Sequence, residues 1–296
     1  MLLIDKPPGI SSFDVIRHLR RLSSIRKLQK EEGGQLKIGH AGTLDPLASG
    51  LLLVALGDET KDIGQYVGLD KSYEVQVVLG ERRSTGDREG EIVEEADVPD
   101  LLPGNVQKVL DGMCRTLMLP VPEYSAVKQG GVPLYKKVRR GERVVVPVRA
   151  MQVHRAHLSG LECRDGRCYL DIEMLVASGV YVRSVVEELG RRLTPTPFAA
   201  KASRKDAAQS ASPQKVWGRA PLIPDEQSVA KAPRKDAAQS ASPQKVWGQG
   251  YPATVGALRR TRVGSYEVGD ALQLTDTDGL NAVIEEYAQE SQKRIF

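Results

Sequence analysis

Asp165-Gly166 sits near the middle of a stretch, Met151 to Ala177, that otherwise reads as β-strand. A two-residue Asp-Gly connection is the type I′ turn, whose positive φ angles suit the twist of two antiparallel strands. The chain is therefore expected to build a hairpin here, with Cys163 and Cys168 facing each other just outside Arg164 and Arg167. A disulfide between them is conceivable. With three cysteines, no CxxC pair and a reducing compartment expected, they read instead as small strand residues.

Other segments alternate between strand and helix patterns. Leu2 to Ile4 is a short apolar run ended by the turn Lys6-Pro7-Pro8-Gly9. Ser11 or Ser12 can cap a helix with Phe13, Ile16, Leu19 and Leu22 inward, three apart. Lys71 to Leu79 alternates, placing Tyr73, Val75, Val77 and Leu79 on one strand face, and Thr85 to Gly90 is a turn by composition. Asn105 to Leu117 suits a helix, and Val180 to Leu193 another, with Val182, Val185, Val186 and Leu189 inward. Hairpins mixed with helices predict an α+β fold, a mixed and largely antiparallel sheet flanked by helices, rather than a doubly wound sheet.

Charge is unevenly placed. Seven basic residues lie between Arg17 and Lys37 against Glu31 and Glu32, and seven more between Lys128 and Arg149 against Glu142 alone. The segment from Glu81 to Leu101 and the last thirty residues lean acidic. Basic clusters on a chain of net charge only +4 fit either a polyanion-binding face or solvated helix surfaces. No apolar run approaches the roughly 18 to 20 residues of a membrane span. The N-terminus has neither signal-peptide nor transit-peptide character. A cytoplasmic protein with no membrane partner is expected. No His/Cys cluster has zinc spacing, and no metal is expected.

Residues 201–218 recur at 231–248 with one difference, Ser203 against Pro233. Two copies are too few for a solenoid. Rich in Ala, Ser, Gln, Lys and Pro, the region 194–250 reads as a disordered insertion between a first domain part, 1–193, and a closing part, 251–296.

The loop Gly39-His40-Ala41-Gly42-Thr43-Leu44-Asp45-Pro46-Leu47-Ala48-Ser49-Gly50 closely resembles the catalytic signature of the TruB-type pseudouridine synthases. Six further blocks resemble that family in order: Lys6 to Ser12, Lys71-Ser72-Tyr73, Thr85-Gly86-Asp87 with Glu89-Gly90, Pro122 to Lys128, Ser178 to Ser184, and Leu258-Arg259-Arg260-Thr261. The chain departs from the family pattern near Lys30 to Gln35, where it is longer, and at the duplicated insertion. It also ends without room for the small RNA-binding PUA domain many members carry, which favours a stand-alone transfer RNA enzyme.

The resemblance implies a pseudouridine-synthase fold with a central RNA-binding cleft, acting without cofactor on a T-loop uridine of transfer RNA; a monomer is expected, since the sequence has no obvious self-association stripe. Pseudouridine formation breaks the N1–C1′ bond, turns the uracil and rejoins it through C5, a rearrangement that calls for a carboxylate near the sugar. Asp45 holds that family position. An Asp before Pro46 could otherwise cap a following helix. Tyr73 is implied to stack on the uracil, though its strand face also suits a core aromatic. Lys71 would share that face and support the loop or a phosphate.

Arg183 has a physical signal of its own. It falls in the first turn of a predicted helix, where the dipole disfavours a cation, so an anion should face it. The resemblance makes that anion Asp45. A snorkelling surface arginine is the bland reading. His40, in a loop whose Gly39 and Gly42 permit close backbone approach, is implied to contact the RNA as the base flips out. Tyr181 and Leu258 match pocket-lining positions, although as bare residues both would be core. Arg259, Arg260 and Arg262, with Lys136, Lys137 and their neighbours to Arg143, are read as phosphate contacts. The alternative to an enzyme is a catalytically silent RNA-binding or transfer RNA-folding protein of the same fold, which would have no need of Asp45, Tyr73 and Arg183 together.

Overall fold

The computed structural model describes residues 1–31, 34, 36–194 and 250–293. The duplicated segment lies outside them. The chain opens with β1 (Leu2–Lys6), α1 (Ser12–Leu19) and α2 (Ser23–Glu31), followed by β2 (Ile38–Ala41), β3 (Ser49–Leu56), α3 (Ile63–Val67) and β4 (Lys71–Leu79). A small hairpin, β5 (Glu81–Arg83) and β6 (Ile92–Glu95), leads to α4 (Pro103–Met113), β7 (Thr116–Pro120), β8 (Lys128–Gln129), β9 (Val132–Pro133) and α5 (Leu134–Arg139). Then come β10 (Val148–Arg164), β11 (Arg167–Val176), α6 (Val182–Arg192), β12 (Ala253–Val263), β13 (Tyr266–Glu267), β14 (Leu272–Gln273) and α7 (Thr277–Lys293).

One ten-stranded sheet carries the fold, in the order β14-β1-β3-β12-β4-β11-β10-β7, with β2 on β3 and β13 on β12. The β1–β14 and β3–β12 pairs are parallel and the others antiparallel. The expected α+β class and mixed sheet are what the structure has. Period-two alternation gives this sheet two faces. Ile4, Leu52, Val54, Val75 and Leu258 point to the front, where α1, α2, α4, α6 and α7 bury them in the main core. Leu51, Leu53, Ala41 and Val263 form a smaller cluster behind. Among the described residues no helix is long and apolar enough to cross a membrane.

Most local expectations hold, and the exceptions have physical causes. β4 spans Lys71–Leu79, and Asp165 and Gly166 take φ of 52° and 72°, as a type I′ turn requires. Cys163 and Cys168 are a directly paired couple with Cα atoms 4.1 Å apart, and they form a disulfide rather than standing as separate thiols. The helix expected to Leu117 ends at Met113, because Leu117 enters β7 beside Met151. Ser11 is the N-cap of α1, in a reciprocal capping box with Asp14. Phe13, expected inward, is 64% exposed. Steps of three residues drift around a helix by about 60° each, since each residue turns about 100°. The buried stripe is Ser12, Val15, Ile16 and Leu19, and Phe13 lies off it.

Candidate active site

Asp45 lies in the loop between β2 and β3, and its two chain neighbours are pinned from the N-terminus. The Ser12 hydroxyl accepts from the Leu44 N–H at 2.9 Å and donates to the Leu44 carbonyl at 3.1 Å. On the other side the Gly9 N–H donates to the Pro46 carbonyl at 2.8 Å. Lys6, fully buried, donates Nζ to the carbonyls of Pro7 (2.8 Å), Ile10 (2.7 Å) and Pro46 (3.3 Å). No helix follows Pro46; the chain enters β3, so Asp45 is not a helix cap. Its carboxylate remains over a third exposed.

Arg183 meets that carboxylate, with Nη2 2.8 Å from Asp45 Oδ2. It comes from the first turn of α6, where Tyr181 is the N-cap. The same guanidinium donates to the Thr85 carbonyl at 2.9 Å and the Tyr124 carbonyl at 3.0 Å, and its Nε stands 3.8 Å from Asp87 Oδ2. Asp87 is itself buried, accepting from Thr85 Oγ1 (2.5 Å) and the Glu89 N–H (3.1 Å) at Oδ1. Three of the sequence blocks thus converge on one guanidinium.

Tyr73 and Leu258 share the front face of the sheet. Tyr73 pairs with Met174 on one side and Arg260 on the other, and Leu258 pairs with Val75. Both belong to the buried cluster that includes Leu44, and half-buried Tyr181 packs against it. His40, directly opposite Val54 on β2, is half-buried with Nδ1 lacking a partner among the described residues. Gly42 takes φ 85°, a left-handed turn that glycine adopts without strain.

The electrostatics tie these groups together. Burial pushes the Lys6 ammonium down from 10.5 to about 8, against the pull of Asp45 and Glu89. Partial burial, then Asp87 and Asp45, push the Glu89 carboxyl up. Burial lowers His40, with the Arg260 charge adding to it, which favours the neutral imidazole. Burial raises the Tyr181 phenol.

Three of the expected phosphate contacts, Arg259, Arg260 and Arg262, are placed differently, and of the two roles open to Lys71 the structure has the loop support. Arg260 is 1% exposed and donates Nε to the Leu51 carbonyl (2.7 Å) and Nη2 to the Gly42 carbonyl (3.1 Å). It braces the Asp45 loop from beneath and cannot meet an RNA phosphate. Arg259, its strand neighbour, points to the back of the sheet, where it makes a bidentate pair with Asp5 at 3.0 and 2.7 Å. Arg262 lines a back-face hollow of about 340 Å³ with Glu74, Arg155 and Glu173. Lys71 is buried, its Nζ bonded to the Val67 carbonyl at 2.6 Å and to that of Leu69, and burial lowers it to about 8. It supports a loop and offers no free charge. Lys136 is exposed and Lys137 half-exposed on α5, away from these ties.

Lys6, Asp87 and Glu89 lie in the family-like sequence blocks, but the sequence assigns none of them a role of its own. Lys6 had a signal: alternation along Leu2, Ile4 and Lys6 turns all three to the front. Among the described residues no cluster of His, Cys, Asp or Glu could hold a metal ion.

Comparison with known proteins agrees with this geometry. The model described as TruB family pseudouridylate synthase (N terminal domain) matches residues 26–182. A protein of Xanthomonas axonopodis pv. citri named tRNA pseudouridine synthase B is 40% identical over 193 residues, 65% of this chain and 58% of its own length. Its namesake in Xanthomonas euvesicatoria pv. vesicatoria is 38% identical over 212 residues, 68% of this chain and 64% of its own. The chain therefore spans about three fifths of these relatives. Two solved structures share the fold: an H/ACA ribonucleoprotein bound to a substrate RNA containing 2′-deoxyuridine (TM-score 0.50, 19% identity, 94% of this chain, 52% of that one), and a Cbf5-Nop10-Gar1 complex (TM-score 0.51, 21% identity, 94% and 53%).

Proposed function

The chain belongs to the TruB family of pseudouridylate synthases, and from that premise we propose that it isomerises uridine to pseudouridine in the T-loop of transfer RNA. Relatives at 38–40% identity bear the name tRNA pseudouridine synthase B, which supports transfer RNA as the substrate class. The observation that carries the reading is the Asp45–Arg183 contact at 2.8 Å, with the Tyr181 phenol close enough to feel the Asp45 charge.

In this reading the uridine leaves its stack, at a cost of a few kcal/mol, and enters the space above Asp45. The carboxylate attacks C1′ as the N1–C1′ bond breaks, or removes the C2′ proton. The freed uracil turns against Tyr73; C5 attacks C1′ as the Asp45–C1′ bond breaks, or adds to the glycal as the proton returns to C2′, and the C5 proton is then lost as N1 takes one up. Arg183 holds the carboxylate in register throughout, and the loop braces from Lys6, Ser12 and Arg260 limit how far Asp45 can drift. Exposed Lys136, Arg139 and Arg140, with Lys137, supply phosphate contacts.

Tritium release from a transfer RNA transcript carrying 5-tritiated uridine tests this. Release by the wild type and none by Asp45→Ala supports the assignment. Binding without release by the wild type would replace it with the RNA-folding reading.

A further inference from the structure

Phe13 is an aromatic side chain that the fold leaves largely in solvent. It is 64% exposed on α1, beside a stripe that the fold has no use for inside. Phe13, Arg17 and Arg20 stand at i, i+4 and i+7, on one side of the helix, and Arg21 follows. All four are exposed. The Arg17 guanidinium lies 5.9 Å from the Phe13 ring centre, within cation–π range, and also pairs with Asp14.

The stripe has a direct connection to the site. Phe13 follows Ser12, whose hydroxyl is bonded both ways to Leu44, the residue before Asp45. We infer that the α1 stripe is an RNA-binding platform: Phe13 stacks on a base flanking the flipped uridine, and Arg17, Arg20 and Arg21 take the phosphates beside it. The inference rests on the RNA-modifying reading above and deepens it by naming a contact. Its physical grounds are two. Flipping a base leaves its neighbours without a stacking partner. An exposed aromatic flanked by arginines is the surface on which an unpaired base stacks regardless of its identity. The charge complements a polyanion: among the described residues the carboxylate paired with these three arginines is Asp14, on Arg17.

Equilibrium binding of a transfer RNA transcript to the full chain, read over a range of salt, tests the platform. Phe13→Ala should weaken binding about tenfold, Phe13→Leu should do the same, and Phe13→Trp should restore it. The triple variant Arg17→Ala, Arg20→Ala, Arg21→Ala should lower the slope of log Kd against log salt by about two. Phe13 is on the surface, so these variants should melt with the wild type. If the wild type binds and converts the transcript while Phe13→Ala and the triple variant bind as it does, the platform is overturned and the functional reading stands. If the wild type neither binds nor converts any transfer RNA, the functional reading falls and takes the platform with it.

Discussion

Nη2 of Arg183 stands 2.8 Å from Oδ2 of Asp45, and that arginine occupies the helix end least hospitable to a cation. The dipole at such a position costs about 0.3 to 1 kcal/mol. The structure offsets it with two carboxylates, Asp45 and Asp87, and with the carbonyls of Thr85 and Tyr124. A planar guanidinium can serve all of these because its donors point in fixed directions. Arg183 thus transmits the positions of two neighbouring loops to the carboxylate.

Asp45→Ala and Asp45→Asn should each lower conversion about a thousandfold or more, since in the proposed mechanism Asp45 is the carboxylate that acts at the sugar. The Asp45 side chain is partly exposed, and its ion pair is with Arg183, so binding should change little. Single-turnover assays beside a filter-binding titration separate the two effects. A variant that still forms pseudouridine at the wild-type rate would remove Asp45 from the chemistry.

Arg183→Lys should keep the charge but lose the shared geometry. A single ammonium cannot reach Asp45, Asp87 and both carbonyls together. A drop in kcat of about a hundredfold with KM nearly unchanged is expected. Arg183→Met should in addition destabilise the fold by about 3 to 5 kcal/mol, because Asp87 would be buried without its cation. Urea melts of both variants check this, and equal midpoints for Arg183→Met and wild type would contradict it.

The parts of the fold that depend on local pattern were legible. β4 follows from strict alternation, the β10–β11 hairpin from Asp165-Gly166, and the anion facing Arg183 from its place in a helix first turn. Choices of partner were not. Arg259 and Arg260 are adjacent on one strand, so alternation sends them to opposite faces and no single RNA strand can meet both. Which face each takes depends on β1 and β3, far away in sequence. Asp87 needed Arg183 to be folded beside it before its role appeared. The Cys163–Cys168 register was readable, but its oxidation was not.

Arg260 and the α5 lysines should separate cleanly. Arg260→Met removes the bonds to Gly42 and Leu51 from a buried position, so it should cost about 3 kcal/mol of stability and reduce turnover, leaving the salt slope unchanged. Replacing Lys136, Lys137, Arg139 and Arg140 with Ala should do the reverse, flattening the slope by about three with little loss of stability. A reduced slope for Arg260→Met would mean that it reaches RNA after all.

Lys6 carries a pH dependence of predictable sign. Its ammonium is buried against three carbonyls and titrates near about 8 in the folded protein, against 10.5 when free. Between those values the unfolded chain holds a proton that the folded chain has released, so this group makes stability rise with pH across that window. Below it the folded state bears the full cost of the buried charge. Lys71 acts in the same direction. Lys6→Met removes the first contribution, so the wild type's advantage over it in urea should widen from about pH 7 to about pH 9.5. A gap that stays constant would mean that water reaches the Lys6 amine and that the loop at Asp45 is looser than its hydrogen bonds to Pro46 indicate.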